Sequence, residues 1–372
     1  MPQGSSGGTV LPDLFTGTMS YSIPIEVPMG RKGMDPGLAL TYKSSGGNGV
    51  VGMGWEMEVG AVERSRKDGV DYGGDDYVLR LAGATVDLVR TSGTAPGDGE
   101  FRAKIEGAFS RVKKTGSVWE VTDKTGTRYL FGQTAASRQD GTPGIFKWSL
   151  DQVIDPNDNS ITLSYLKDQG QIYLDRIDYT YPGPTNYVKF YYESRTDAPV
   201  MYTTNFAVTT AKRLKTIDVM ANGLRQRAYE LSYTYSTSTG RSILASVQQF
   251  DKNSLVDANG TVTGGTALPP ISLSWVNSSN SIYQAGTGGW PSTGERYYPG
   301  DYNGDGKTDV LVIPSGGGWQ VWLSNGTGIY QAGTGGWPST GERYYPGDYN
   351  GDGKTDVLVI PSGGGWQVWL SN

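Results

Sequence analysis

The chain has 372 residues, 36% of them hydrophobic, with 55 Gly, 24 Tyr and 10 Trp and a net charge of −5. It holds no Cys and no His, which excludes Ser-His-Asp triads, cysteine nucleophiles, zinc sites built on His or Cys, His-ligated haem and disulfide staples within it. The acidic balance, without a long basic run, argues against nucleic-acid binding through phosphate contacts, and no run of about 18 apolar residues marks a membrane-spanning segment. Glycine stands at about twice its usual share of roughly 7%. With so many Tyr and Thr, this predicts an all-β chain of short strands and tight turns. The abundant aromatics argue against disorder. The length allows two or three domains.

Residues 1–15 (MPQGSSGGTVLPDLF) are Gly/Ser/Pro-rich and are expected to be a flexible lead-in. They lack the charged and apolar regions of a signal peptide. Export by another route, or a start other than Met1, is therefore expected. From Ser20 to Pro28 polar and apolar residues alternate as in a strand. Pro24 and Pro28 place that strand at an edge or interrupt it. Residues 30–33 read as a turn, 38–42 as a strand and 44–49 as a loop. In Val50-Val-Gly-Met-Gly-Trp55, Gly52 and Gly54 let the backbone pack closely beside the Trp.

The pieces Ser20-Tyr-Ser-Ile-Pro-Ile-Glu-Val-Pro28, Gly30-Arg31, Pro36-x-Leu-x-Leu-x-Tyr42, Gly46-Gly-Asn-Gly49 and Gly52-x-Gly-Trp55 stand in fixed order within residues 17–67. This stretch resembles the opening of the SpvB-type domain of bacterial virulence proteins, of the B components of insecticidal toxin complexes and of many Rhs/YD-repeat proteins. The acidic run Asp71-Tyr-Gly-Gly-Asp-Asp-Tyr-Val-Leu79 sits where that family has an acidic turn before a hairpin. From Asp76 to about Trp275, strand patterns follow one another with turns every 8 to 12 residues or so. Examples are residues 77–81, 118–122, 128–131, 146–150, 160–165 and 187–192. Residues 153–165 read as two strands around an Asp/Asn turn and resemble a hairpin of Rhs/YD shells. No stretch shows sustained helical periodicity. Residues 16–275 are thus expected to form one SpvB-like β domain. Within it, residues 251–270 are polar and rich in Gly and Pro and look linker-like.

Residues 276–372 are expected to form two repeats, because residues 282–325 recur letter for letter at 329–372, an offset of 47. Trp275, Trp322 and Trp369 lie 47 apart, so the period starts one strand before the identical copies. Four candidate strands are visible in each period: 281–285, 296–299, 310–313 and 319–323. About 40 to 50 residues with four short strands is the size of one propeller blade. The repeat resembles the FG-GAP/VCBS type, which builds β-propellers. A closed propeller needs about four to eight blades. The chain is therefore expected to be a fragment of a longer protein, or its blades to pack on something else.

Each copy carries the loop D-x-N-x-D-G-x-x-D: Asp301, Asn303, Asp305, Gly306 and Asp309, then Asp348, Asn350, Asp352, Gly353 and Asp356. Oxygens at alternate positions, the backbone carbonyls of Lys307 and Lys354, and a closing carboxylate suit Ca2+, which takes six to eight hard oxygen ligands. The bland reading is a solvated Asp/Asn/Gly turn, in which three carboxylates would repel one another uncompensated. An EF-hand is excluded, because position 12 is Val312 within a β run. Asp68, Asp71, Asp75 and Asp76 are read as a solvated acidic turn, with a cation site as the alternative. Asp155, Asn157, Asp158 and Asn159 are read as turn formers, and Lys113-Lys114 and Arg64-x-Arg66 as solvated strand faces. Trp and Tyr in strands are read as core before sugar platform.

The resemblance implies a non-enzymatic scaffold: part of a shell or propeller that encloses or docks a toxic cargo, secreted, with calcium tying down the blade loops. Its implied partners are Rhs or toxin-complex shell proteins, or a missing C-terminal part of the same chain. The alternatives are a secreted adhesion or carbohydrate-binding module and, third, a hydrolase with a carboxylate pair, for which no spacing selects a pair.

Overall fold

A computed structural model describes residues 11–12, 18–107, 109–180, 183, 185–275, 295–326, 328–337 and 342–372. Strands dominate, and no α-helix occurs among these residues. The chain divides into two compact units, Met1–Ser279 and Asn280–Asn372.

In the first unit one antiparallel ladder organises the fold. Ala61–Arg64, Tyr77–Leu81, Ala84–Gly93, Gly99–Ala103, Arg111–Thr115, Val118–Thr122 and Arg128–Phe131 pair in succession. The long strand Gly144–Ile154 then takes Arg128–Phe131 on one edge and Ala61–Arg64 on the other, which closes the ladder into a small barrel. A barrel of about eight strands has an interior just filled by side chains. Here the filling is aromatic: Trp119 lies 4.8 Å from Tyr77, 4.9 Å from Phe101 and 5.9 Å from Trp148, ring centre to ring centre. All four rings are buried, in the edge-on and tilted contacts that aromatic quadrupoles favour.

The far half of Gly144–Ile154 starts a second run of the same sheet. Ser160–Asp168, Gln171–Tyr179, Asn186–Ser194, Lys212–Ala221, Leu224–Tyr235 and Ser242–Phe250 follow as hairpins, and the short strand Ile271–Ser272 ends the run. The Asp/Asn turn behaves as expected: Asp155 Oδ1 accepts the N–H of Asn157 and Asn159.

A separate small sheet pairs Met19–Ile25 with Leu38–Lys43, Leu38–Lys43 with Trp55–Glu56, and Leu11–Pro12 with Met19–Ile25. The rest of the lead-in expected over 1–15 lies outside the described residues. Pro24 faces Ala39 on one side, beyond the reach of Leu11–Pro12 on the other, where a missing N–H costs nothing.

The Gly-Gly-Asn-Gly loop docks this small sheet on the large one. Arg195, buried, donates to Gly49 O (2.7 Å) and Asn48 Oδ1 (2.5 Å) and pairs with Asp197 (2.6 Å). Asp197 also accepts from Asn48 Nδ2 (3.1 Å) and from the N–H and hydroxyl of Ser242 (both 2.6 Å). A Cβ on Gly54 would sit 2.4 Å from the Tyr42 ring, and one on Gly52 2.9 Å from Ser242 O. Both glycines have positive φ, so close approach and backbone conformation each demand glycine.

Four sequence expectations are corrected in this unit. Arg64 is not a solvated strand residue: it is buried and donates to Ile145 O, Asp71 O and Gly74 O. That contact folds the acidic turn onto the barrel. Within the turn Asp75 pairs with Arg90 through two bonds of 2.6 and 2.7 Å, so its charge is met by a guanidinium. Lys114 is likewise buried, with Nζ on Pro96 O and Gly97 O, and burial lowers its pKa. The stretch 251–270 is no free linker. It folds back as a hairpin, Leu255–Val256 with Val262–Thr263, held by Thr216 Oγ1 on Gly260 O and Arg225 on Ser254 O. Its polar composition serves Asx turns at Asp251 and Asp257. Trp275 packs at 5.2 Å against Tyr42 and donates to Leu244 O. It thus completes the first unit's core rather than starting a blade.

The second unit holds a four-stranded sheet, Arg296–Gly300, Asp309–Ile313, Trp319–Ser324 and Ile329–Gly335, and a three-stranded sheet, Arg343–Gly347, Asp356–Ile360 and Gln367–Trp369. Sheets and sequence copies are out of phase. The expected four strands per period include 281–285, which lies outside the described residues. The equivalent strand of the second copy, Ile329–Gly335, pairs with Trp319–Ser324 of the first. The reason is loop length: a tight turn closed by Asn325 N–H on Gly328 O and Gly328 N–H on Asn325 Oδ1 makes these two strands a hairpin.

Candidate metal centre

The two D-x-N-x-D-G loops connect the first and second strands of each sheet, between Gly300 and Asp309 and between Gly347 and Asp356. Each is wound by its own carboxylates. Asp301 Oδ1 accepts the N–H of Gly304 (2.8 Å) and Asp305 (3.1 Å), and its Oδ2 that of Gly306 (2.8 Å). Asn303 Oδ1 accepts from Asp305 N (3.0 Å), and Asp305 Oδ1 from Lys307 N (2.9 Å). Gly304 and Gly306 adopt φ of 77° and 80°, a conformation that costs side-chain-bearing residues. The second loop repeats the pattern through Asp348, Asn350 and Asp352, with Lys354 N–H on Asp352 Oδ1.

The closing residues play a different part in this conformation. Asp309 is fully buried and accepts Tyr302 N–H (3.0 Å) and Ser324 N–H (2.8 Å), one on each oxygen. Asp356 does the same with Tyr349 and Ser371. These carboxylates pin the loop to the end of the third strand in the first sheet and to the residues just after it in the second.

Lysine distinguishes the two loops. Lys307 Nζ lies 2.9 Å from Asp305 Oδ2. That ammonium, and then the Lys307 N–H, hold the Asp305 carboxyl below its usual range. In the second loop the Lys354 stem lies over Gly304 of the first. Asp352 is lowered instead by the Lys354 N–H and by the Asn350 amide on its Oδ2. The loops also clasp each other: Asp301 N–H donates to Thr355 Oγ1 (2.9 Å) and Thr355 N–H to Asp301 O (2.6 Å). Sequence reasoning missed Thr355, because its partner lies 54 residues away in the other copy.

The donor set fits a hard cation. Asp301, Asn303 and Asp305 present oxygens on one tight turn, and a carboxylate oxygen bonded to one N–H keeps a further lone pair. Among the described residues no three acidic side chains are gathered into a finished cage. Ligation therefore requires the Lys307 ammonium to leave Asp305 and the carboxylates to turn inward.

The profile of the Salmonella virulence plasmid 65kDa B protein family covers residues 14–181, and that of the FG-GAP-like repeat covers residues 301–359. The first stretch is thus similar to the SpvB family and the second to FG-GAP-like repeats. The mono(ADP-ribosyl)transferases SpvB of Salmonella choleraesuis strain SC-B67 and of Salmonella typhimurium are each 28% identical to it over 181 residues, 41% of this chain. The chain spans about 30% of the length of these curated relatives. In structure, the N-terminal domain of effector protein SpvB from Salmonella typhimurium strain LT2 overlays 62% of this chain and 98% of that domain, with a TM-score of 0.54 and 18% identity. A TcdB2-TccC3 structure overlays 99% of this chain and 22% of its own, with a TM-score of 0.61 and 19% identity. At such identities the likeness is one of fold: the all-β chain is similar in fold to the SpvB N-terminal domain and to about a fifth of the TcdB2-TccC3 chain.

Proposed function

We propose that this segment is a non-enzymatic scaffold of a secreted bacterial toxin-type protein, forming part of a β-sheet shell or propeller that encloses or docks a toxic cargo. The carrying observation is that 99% of the chain follows the fold of a TcdB2-TccC3 structure. Its similarity to the transferases named SpvB falls on 30% of their length, and 62% of the chain follows the N-terminal domain of SpvB. The interior of the first unit agrees with a scaffold role. Its barrel is filled by Tyr77, Phe101, Trp119 and Trp148, leaving side chains where a substrate would sit.

The partner would be an Rhs-type shell protein of the TccC3 kind. Co-expressed with one, the chain is expected to co-elute in a single complex on size exclusion. Separate elution, together with transfer of labelled ADP-ribose from NAD to host-cell protein by the chain alone, would overturn the scaffold reading.

Calcium is part of the same proposal. Asp301, Asn303, Asp305, the Lys307 carbonyl and Asp309 would hold it in the first loop, and Asp348, Asn350, Asp352, the Lys354 carbonyl and Asp356 in the second. Its charge would offset the repulsion of the loop carboxylates. Added calcium is expected to raise the melting temperature of the chain, and the Asp305→Ala, Asp352→Ala double variant to lose that rise. Equal melting of the unmodified chain in calcium and in chelator sinks this part.

A further inference from the structure

We propose that the cleft between the Gly-Gly-Asn-Gly loop and the outer wall of the barrel binds a small oxyanion, a phosphate or a short carboxylate. Side chains on a strand alternate between its two faces. On Gly144–Ile154 Trp148 fills the barrel, so its neighbours Lys147 and Ser149 stand on the outer face. Ser149 lies opposite Ala61, and Ala61 opposite Arg80. These three therefore share one cross-strand row on the outer wall, and Ala61, the small middle member, leaves room between the other two. A cavity of about 230 Å3 lies there, walled also by Trp55, Gln139 and Lys147. It adjoins an open cleft of about 740 Å3 along the loop. Gly49, Trp55, Glu56, Arg80 and Gln171 line both.

The shared wall offers donors in want of an acceptor. Trp55 is 2% exposed, and its indole N–H meets no acceptor. Arg80 Nε is buried in the same condition. Indole, guanidinium and ammonium groups donate and cannot accept. Among the described residues Lys147 joins no ion pair, and the hydroxyl of Ser149, a residue 4% exposed, makes no hydrogen bond. Charge points the same way. Glu63 is shared by Arg80 at 3.0 Å and Arg66 at 3.6 Å, two guanidinium groups on one carboxylate. Lys43 pairs with Glu56. The other carboxylate on the walls, Glu58, is exposed. Cations thus outnumber carboxylates here, in a chain whose net charge is −5. Charge-assisted bonds to an oxyanion would satisfy these donors. The walls are already fixed. Gln171 accepts from Gln139 Nε2 and donates to Thr210 Oγ1, and Arg195 holds the loop at Gly49 O. A site set in advance loses little freedom on binding.

The test is titration of the isotope-labelled full chain with sodium phosphate and, separately, sodium succinate at fixed ionic strength, followed through the tryptophan indole N–H resonances. The Trp55 resonance is the one missing from Trp55→Phe. It is expected to shift saturably at millimolar or lower concentration while the other indole resonances stay in place. Saturation by phosphate, by succinate or by both supports the site and identifies its anion. Lys147→Gln, which breaks no ion pair, and Arg80→Gln should each bind at least about tenfold more weakly. No shift of the Trp55 resonance with either anion, a shift matched by sodium chloride, or undiminished binding by Lys147→Gln and Arg80→Gln would each overturn the assignment.

Discussion

Replacing Asp197 with alanine is expected to destabilise the first unit by about 3–5 kcal/mol, the cost of leaving a buried charge without its partner. The Arg195 side chain has 0% exposure and the Asp197 side chain 9%. Asp197 is its sole carboxylate partner among the described ion pairs. Removing it strands the guanidinium, and with it the Ser242 N–H and hydroxyl that now point at a carboxylate. The loop at Asn48 and Gly49 would lose its clamp, because Arg195 positions both. Urea denaturation followed by tryptophan fluorescence reads the effect, with Trp55 buried beside Tyr42 as a reporter. A loss below about 1 kcal/mol, the range of an exposed pair, would show that the clamp is not structural.

The same residue sets an acid limit. Burial alone would raise the Asp197 pKa, but the bonds from Arg195, Ser242 and Asn48 win and hold it far below the usual carboxylate range. A carboxyl with a depressed folded pKa contributes stability that is fully present above its unfolded value of about 4. That contribution is lost as pH falls below about 4 toward the folded value. The stability gap between the parent chain and Asp197→Asn should therefore be widest near neutral pH and shrink on acidification through that window. A gap independent of pH would contradict it.

The second large effect is expected from Asp309→Ala combined with Asp356→Ala. Each carboxylate is fully buried and satisfies two backbone N–H groups, those of Tyr302 and Ser324 and those of Tyr349 and Ser371. An orphaned buried donor costs about 1–3 kcal/mol, and the double variant strips the carboxylate from four backbone donors, that of Tyr302 buried and those of Ser324, Tyr349 and Ser371 partly buried. In chelator, where calcium plays no part, the second unit should lose its cooperative unfolding transition. Asp305→Ala, at an exposed residue, should change stability in chelator by less than about 0.5 kcal/mol. This contrast separates pinning from metal binding. If the exposed and buried substitutions behave alike in chelator, the pinning role fails.

Much of this protein is local, and local features were legible. Alternation marked strands such as Val118–Thr122 and Ser160–Asp168, because side chains in a pleated strand point to opposite faces every second residue. Asp155 and its neighbours announced a turn, because a short carboxylate reaches the N–H two residues on. The duplicated loop exposed its candidate ligands by spacing alone. Misread positions were those whose environment is made by distant chain. Arg64 and Lys114 look solvated in a strand pattern and are buried because Ile145, Pro96 and Gly97 close over them.

By itself, then, the sequence determined the all-β class, the SpvB-like opening motifs, the repeat and the oxygen-rich loops. Each of these follows from a period, a turn chemistry or a short motif within reach of neighbouring residues. Only the tertiary structure decided that the ladder closes into a barrel through the two edges of Gly144–Ile154. It alone placed Arg195 and Asp197 around Asn48, 149 residues from Asp197, and gave the first blade a strand from the second copy. These contacts join segments far apart in the chain. No spacing encodes them, because strand pairing and the partnering of buried charge are settled by which surfaces meet when the chain packs.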